Sequence, residues 1–179
     1  MAKTQRKVID KVFIMLGVCA AVVLLMVSGL AWWGYSFTTK QVHQELVSQK
    51  IYFPPKGSPA LDPSEFPDLQ KYAGQQVDNG IKARAYANGF IGRHIEKVAD
   101  GQTYSQVSTA ALADPTNTTL QQEKATLFQG ETLRGLLLNA YAFGTLGSIA
   151  YDLAIIAFIG AVVFALLVLM GLGHLKRLN

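Results

Sequence analysis

Two stretches of this chain carry almost no polar side chain. Val12 to Trp33, VFIMLGVCAAVVLLMVSGLAWW, has no ionisable group besides the thiol of Cys19, and Leu153 to Leu172, LAIIAFIGAVVFALLVLMGL, has none. A helix rises about 1.5 Å per residue, so each run of about 20 residues matches a hydrocarbon core ~30 Å thick. The pattern predicts transmembrane helices over residues 12–33 and 152–173. The second apolar run starts well before its span. From Leu133 to Leu172 it covers ~60 Å of helix, about twice a bilayer. Leu136 to Ile149 must therefore be covered by the chain's own domain, by the membrane interface or by another protein. A third span would need a hairpin at Tyr151-Asp152 with almost no loop.

Between the spans the pattern is mixed. Helix is expected to continue from the first span to Lys50. The segment IYFPPKGSPALDPSEFPDLQKYAG follows, with five prolines between Pro54 and Pro67. Proline lacks an amide proton and biases its predecessor away from helix, so residues 54–67 read as an extended segment. Tyr52, Phe53, Leu61, Phe66, Leu69 and Tyr72 imply that it lies across a surface. From Ile81 to Ala99, stepping 100° per residue puts Ala83, Phe90, Ile91, His94 and Val98 on one stripe. Arg93, Glu96, Lys97 and Asp100 fall on the other side. Gly101 is placed to end that helix. Thr103 to Gln106 has capping-box spacing for a short helix to about Ala113, which Asp114-Pro115 stops. No alternating pattern is long enough to force a sheet. The expected fold class is mostly α: an integral membrane protein with two transmembrane helices and a small helical extracytoplasmic domain, residues 34–151.

Charge orients the spans. The cytoplasmic ends are expected to be residues 1–11, with Lys3, Arg6, Lys7 and Lys11 against Asp10, and residues 174–179, with Lys176 and Arg177. Residues 34–151 hold ten basic and ten acidic side chains. Short basic flanks stay cytoplasmic, while a long loop crosses largely regardless of charge. Both termini are thus expected inside and the middle outside, in the plasma membrane. The sequence pI near 9.2 reports this topology and calls for no nucleic-acid partner. A cleaved signal peptide is the rival for the first run, because Gly29-Leu30-Ala31 resembles a cleavage site. The length of the run and the Trp32-Trp33 belt favour a retained anchor. Val18 before Cys19 is a poor lipobox residue.

Candidate chemistry is sparse. One cysteine excludes an intrachain disulfide, a CxxC pair and a thiolate metal cluster. His174 is expected on the opposite side of the membrane from His43 and His94, and no HxH or HExxH occurs. An iron site from His43, His94 and an acid is formally open, but a packed His94 is the simpler account. Gly130 and Gly135 flank ETLR without the Lys-Ser/Thr of a phosphate loop. No catalytic residue, metal or cofactor is expected. The spans do show small-residue spacing: Gly17 with Ala21, and Ala157, Ala161 and Ala165 beside Gly160. Such faces admit close helix contact, and they suit either the pairing of the two spans or the docking of other membrane helices.

The stretches IYFPPKGSPAL, FPDLQKYAGQQV, AYANGFIGRHIEKVADGQTYSQVS and TLFQGETLRGLLLNAYAFG, set between two spans, resemble a family of actinobacterial two-span membrane proteins. Most members are uncharacterised. Some carry the label of an aromatic ring-opening dioxygenase; such enzymes need an open iron site, and the ligands here do not assemble one. Topology and size are also similar to accessory subunits of the actinobacterial cytochrome bcc–aa3 respiratory supercomplex. The resemblance implies a non-catalytic accessory or assembly subunit, with the bilayer and other membrane subunits as partners. A membrane-anchored module for a lipid, quinone or envelope ligand is the alternative, and predicts a pocket between the His94 helix and Leu136–Ile149. An enzyme ranks third, and would need His94 in an open cleft.

Overall fold

The computed structural model describes residues 3–177. Among them the elements are helices and turns: α1 (Lys3–Ser48), α2 (Gly80–Arg84), a π-helical stretch (Ala85–Ile91), α3 (Gly92–Val98), α4 (Tyr104–Ala113) and α5 (Thr118–Arg177). Short 3-10 turns at Pro59–Leu61 and Pro67–Tyr72 lie in the proline-rich segment. Helices α1 and α5 are each long and apolar enough to cross a membrane. The chain divides into two compact units, residues 1–37 with 146–179, and residues 38–145.

The first unit is a helix pair. Ser28 Oγ donates to the carbonyl of Ala154 at 2.9 Å, while Trp32 and Tyr35 both pack on Tyr151. Toward the other end, Gly17 meets Val168, Gly171 meets Ile14, and His174 lies beside Asp10. As numbers rise on one helix they fall on the other, so the helices are antiparallel and the basic flanks share one end. The outward residues, among them Phe13, Leu25, Ile156 and Leu166, are exposed and apolar, as lipid contact requires.

The second unit has an ordinary core. The proline-rich segment is a closed loop, not a tether. Its two ends form an isolated antiparallel bridge, Tyr52 with Gln76; the Phe53 amide donates to the Gln75 carbonyl and the Val77 amide to the Ile51 carbonyl. Phe53, Leu61, Phe66, Leu69 and Val77 are buried against Val42 and Leu46 of α1 and Leu127 and Leu137 of α5. Each such side chain contributes ~1.5–3 kcal/mol by leaving water. Gln76 Nε2 donates to the Val47 carbonyl at 2.9 Å, satisfying an end group of α1, which stops at Ser48, two residues short of expectation.

Of the stripe expected from Ile81 to Ala99, Ala83 and Ile91 are buried, Phe90 packs against the core, His94 is half-buried and Val98 is exposed. The fully buried set also takes in Ala87, Ile95 and Ala99, which the π-helical stretch brings round. The Gly92 amide bonds five residues back, to the Ala87 carbonyl. A π turn holds more residues than an α turn, so a spacing of four stays on one side instead of drifting. The capping box is as expected: Thr103 accepts from the Gln106 amide and Gln106 from the Thr103 amide. The last α3 turn closes through Asp100 and Gly101, both at positive φ, with the Gly101 amide donating to the Glu96 carbonyl.

Helix α2 approaches α5 backbone to backbone. A Cβ on Gly80 would lie 3.1 Å from the Tyr141 Cα and 3.2 Å from the Ala140 carbonyl oxygen, where nothing can rotate away. Gly80→Ala is therefore expected to destabilise the central unit by about 1–3 kcal/mol, the usual range for overpacking. Gly135→Ala, with open space around it in α5, is expected to be neutral or stabilising by up to ~1 kcal/mol. Thermal or denaturant unfolding of both variants checks the pair.

Candidate functional site

Aromatic packing places the histidines. Phe90 and His94 are one turn apart, with ring centroids 4.4 Å apart. His94 stacks on Phe66 of the proline-rich loop, centroids 5.2 Å apart and planes within 10°. Its Nδ1–H donates to the Phe90 carbonyl at 2.8 Å. The chain of rings continues from Phe90 through Tyr86 and Phe53 to Tyr72. Burial raises the Tyr86 hydroxyl above its usual range. His43 is held separately, with Nδ1 3.0 Å from the Asp78 carbonyl oxygen. The two histidines thus have different backbone partners, and no group of three His, Cys, Asp or Glu side chains converges among the described residues.

One concavity of the central unit is an open groove of about 550 Å³ on the other face of the His94 helix. Asn88 of the π-helical stretch, Glu96 of α3, Gln102 and Thr103 before α4, and Glu131 and Arg134 of α5 line it. Arg134 is its organising side chain. One guanidinium nitrogen donates to both Glu131 oxygens at 2.9 Å, and the other donates to Asn88 Oδ1 at 3.3 Å. The guanidinium packs over Gly92, where a Cβ would stand in ordinary contact 3.5 Å from Arg134 Nε. That Nε is buried, without a hydrogen-bond partner among the described residues. The groove differs from the apolar pocket expected between the His94 helix and Leu136–Ile149. Its lining mixes polar side chains with Ile95, Tyr104 and Leu127, it meets α5 before Leu136, and His94 is not part of it. Its two arginines are each already held by a carboxylate, Arg134 by Glu131 and Arg93 by Asp68.

The Arg93 pair ties α3 to the proline-rich loop. Arg93 forks onto both Asp68 oxygens at 2.8 and 3.0 Å, and Lys97 pairs with Glu65 beside it. The hydrogen bonds from Arg93 hold the Asp68 carboxyl below its ordinary value.

The small residues singled out in the spans fall mostly on one seam. A Cβ on Gly17 would lie 2.8 Å from Val168 Cγ2, and one on Gly160 would lie 3.2 Å from Leu24 Cδ1. Ala157 and Ala161 are buried, Ala21 is half-buried and Ala165 is exposed. The seam itself runs Ala154, Ala157, Ala161, Val168, Gly171. A step of four drifts about 40° each time on an α-helix, whereas alternating steps of three and four follow a neighbour, so Ala165 leaves the contact. Ala154, Gly171 and Ser28 were not singled out in advance, and that alternating spacing is the signal that would have found them.

The remaining apolar surface is on α5. Leu137 is buried, Leu138 and Ala140 pack against the core, and Gly144 faces Gly80. Across the helix, Leu136 is 62% exposed and Phe143 55%. The central unit therefore covers one face of this apolar stretch and leaves the other open. Compared with known proteins, the chain matches no family model, no curated protein and no solved structure.

Two outcomes are expected of these contacts. Asp68 has a depressed pKa in the folded state, so its contribution is complete above the unfolded value of about 3.8 and is lost as pH falls through the lower folded one. Asp68→Asn should cost no more than ~1 kcal/mol near neutral pH, since the pair is largely exposed, and the difference from wild type should vanish on acidification. Unfolding titrations at a series of pH values read this. Arg134→Ala should destabilise the central unit by about 1–3 kcal/mol, and Arg134→Lys should not restore it, because an ammonium cannot fork onto Glu131 and Asn88 together. Amide exchange across residues 85–91 is the local readout.

Proposed function

We propose that this chain is a membrane-anchored, non-catalytic accessory or assembly subunit of a larger membrane complex, with both basic ends in the cytoplasm and the central unit outside. The carrying observation is the open apolar face of α5 at Leu136 and Phe143. A free-standing anchored domain has no use for it: each of these side chains, still more than half exposed, forgoes about 1–2 kcal/mol while it faces water, and both recover it under a partner. The antiparallel helix pair supports the same reading. Its ends carry the basic residues that fix orientation, and aromatic residues cluster at its other end. A respiratory supercomplex of the cytochrome bcc–aa3 type, which the resemblance indicates, is the first complex to test.

The experiment is a pull-down of the tagged native chain in a gentle detergent, with co-purifying proteins identified by mass spectrometry and haem read by absorbance. Stoichiometric membrane subunits are expected, with haem if the complex is respiratory. Leu136→Asp together with Phe143→Asp should abolish that recovery and leave the thermal unfolding of the isolated chain within about 0.5 kcal/mol of wild type, because both positions are exposed. A wild-type chain that purifies alone overturns the proposal.

A further inference from the structure

A second concavity of about 500 Å³ lies wholly within the helix pair, at the end that carries the basic residues. Phe13, Leu16 and Ala20 of α1 and Phe164 and Leu167 of α5 form its apolar walls, and Asp10 and His174 close it at the tip. Asp10 Oδ2 is buried without a hydrogen-bond partner among the described residues; His174 Nε2 lies 3.9 Å away, beyond hydrogen-bond reach. Residues three or four apart share a helix face, so Arg6 stands one turn beyond Asp10 and Arg177 one turn beyond His174. Both arginines are exposed. An apolar trough thus opens at its polar end onto two arginines and one carboxylate oxygen that still wants a donor.

We infer that this groove binds one anionic glycerophospholipid whose headgroup carries hydroxyl groups, with an acyl chain along the trough and the phosphate at Arg6 and Arg177. Charge selects the class. Arg6, Lys7 and Arg177 against Asp10 leave the mouth net positive with His174 neutral, which complements an anionic headgroup. The unsatisfied Asp10 oxygen selects further, because a buried acceptor left unpaired is costly and a headgroup hydroxyl would satisfy it. A phosphatidylcholine headgroup is neutral overall and has no donor. The trough explains the rest: Phe13, Leu16, Phe164 and Leu167 stand apart where the small-residue seam holds the helices close, leaving a cleft too apolar for water.

The test uses the full chain, purified and delipidated in a mild detergent. It is offered an equimolar mixture of dioleoyl phosphatidylglycerol and dioleoyl phosphatidylcholine, and retained lipid is counted by native mass spectrometry. One phosphatidylglycerol is expected, preferred by roughly tenfold, the scale set by two arginines near a membrane surface. Arg6→Gln with Arg177→Gln should reduce the preference to about threefold or less, and Ala20→Phe should lower retention of both lipids. A phosphatidylglycerol analogue with a photoreactive acyl chain should label residues 13–20 and 164–171, which maps the site without any substitution. Equal retention of the two lipids, a preference unchanged in the double variant, or labelling spread evenly around the helices would each overturn the assignment. So would capture of protein instead of lipid by a photoreactive residue at position 16 in native membranes, which would make the trough a seat for another helix.

Discussion

Helices surrounded by lipid gain nothing by hiding apolar surface from one another, because the acyl chains are as apolar as leucine. Their pairing has to come from close approach and the dispersion contacts that follow. The first unit meets this with small residues at the seam. Gly17 admits Val168, Gly160 admits Leu24, and Ala154, Ala157 and Ala161 are buried to within a few per cent. One polar contact sits on the same seam, from Ser28 to the Ala154 carbonyl. The antiparallel register set by these contacts puts Trp32, Tyr35 and Tyr151 together at one end and Asp10 and His174 at the other.

The central unit answers the opposite problem. Among residues 38–145 the drive is removal of apolar surface from water, and the least regular segment supplies much of the buried surface. The proline-rich loop contributes Phe53, Leu61, Phe66 and Leu69, four of the most deeply buried side chains. Its prolines fix extended and 3-10 conformations in advance, which lowers the entropy lost on ordering the loop. Arg93–Asp68 and Lys97–Glu65 hold its outer edge to α3, and Phe66 stacks on His94 behind them. These exposed pairs contribute little energy individually. Their value is registry: they set which face of the π-helical stretch meets the loop.

Much of this was legible before any coordinates. Run length alone marks the spans, because the bilayer has one thickness. Thr103 and Gln106 announce a helix start by local hydrogen bonding, and Asp114-Pro115 announces a stop. The bridge between Tyr52 and Gln76 was not legible, since it joins residues on either side of a loop and leaves no periodic trace. The inward set of the His94 helix was legible only in part, with Ala83, Phe90 and Ile91 found and Ala87, Ile95 and Ala99 missed, for a different reason. A π turn has no compositional signature, and a single shifted bond rotates every later side chain. The fate of Leu136–Ile149 was equally hidden. A stretch apolar on all sides does not reveal which face its own domain will cover, and Leu137 and Leu136 differ in burial though not in chemistry.

The same limit shapes what can be read as function. In the central unit the polar side chains that attract notice in the sequence are largely engaged with one another: Arg134 with Glu131 and Asn88 through its terminal nitrogens, though not through Nε, Arg93 with Asp68, and His94 with the Phe90 carbonyl. A satisfied group holds a fold together and has little left to offer a ligand. The informative groups are those left over, and they are mostly apolar: Leu136 and Phe143 facing outward on α5, and the trough walls that end at the unpaired Asp10 oxygen. Apolar faces left open in this way offer packing surface, and along the two long apolar helices that surface suits lipid.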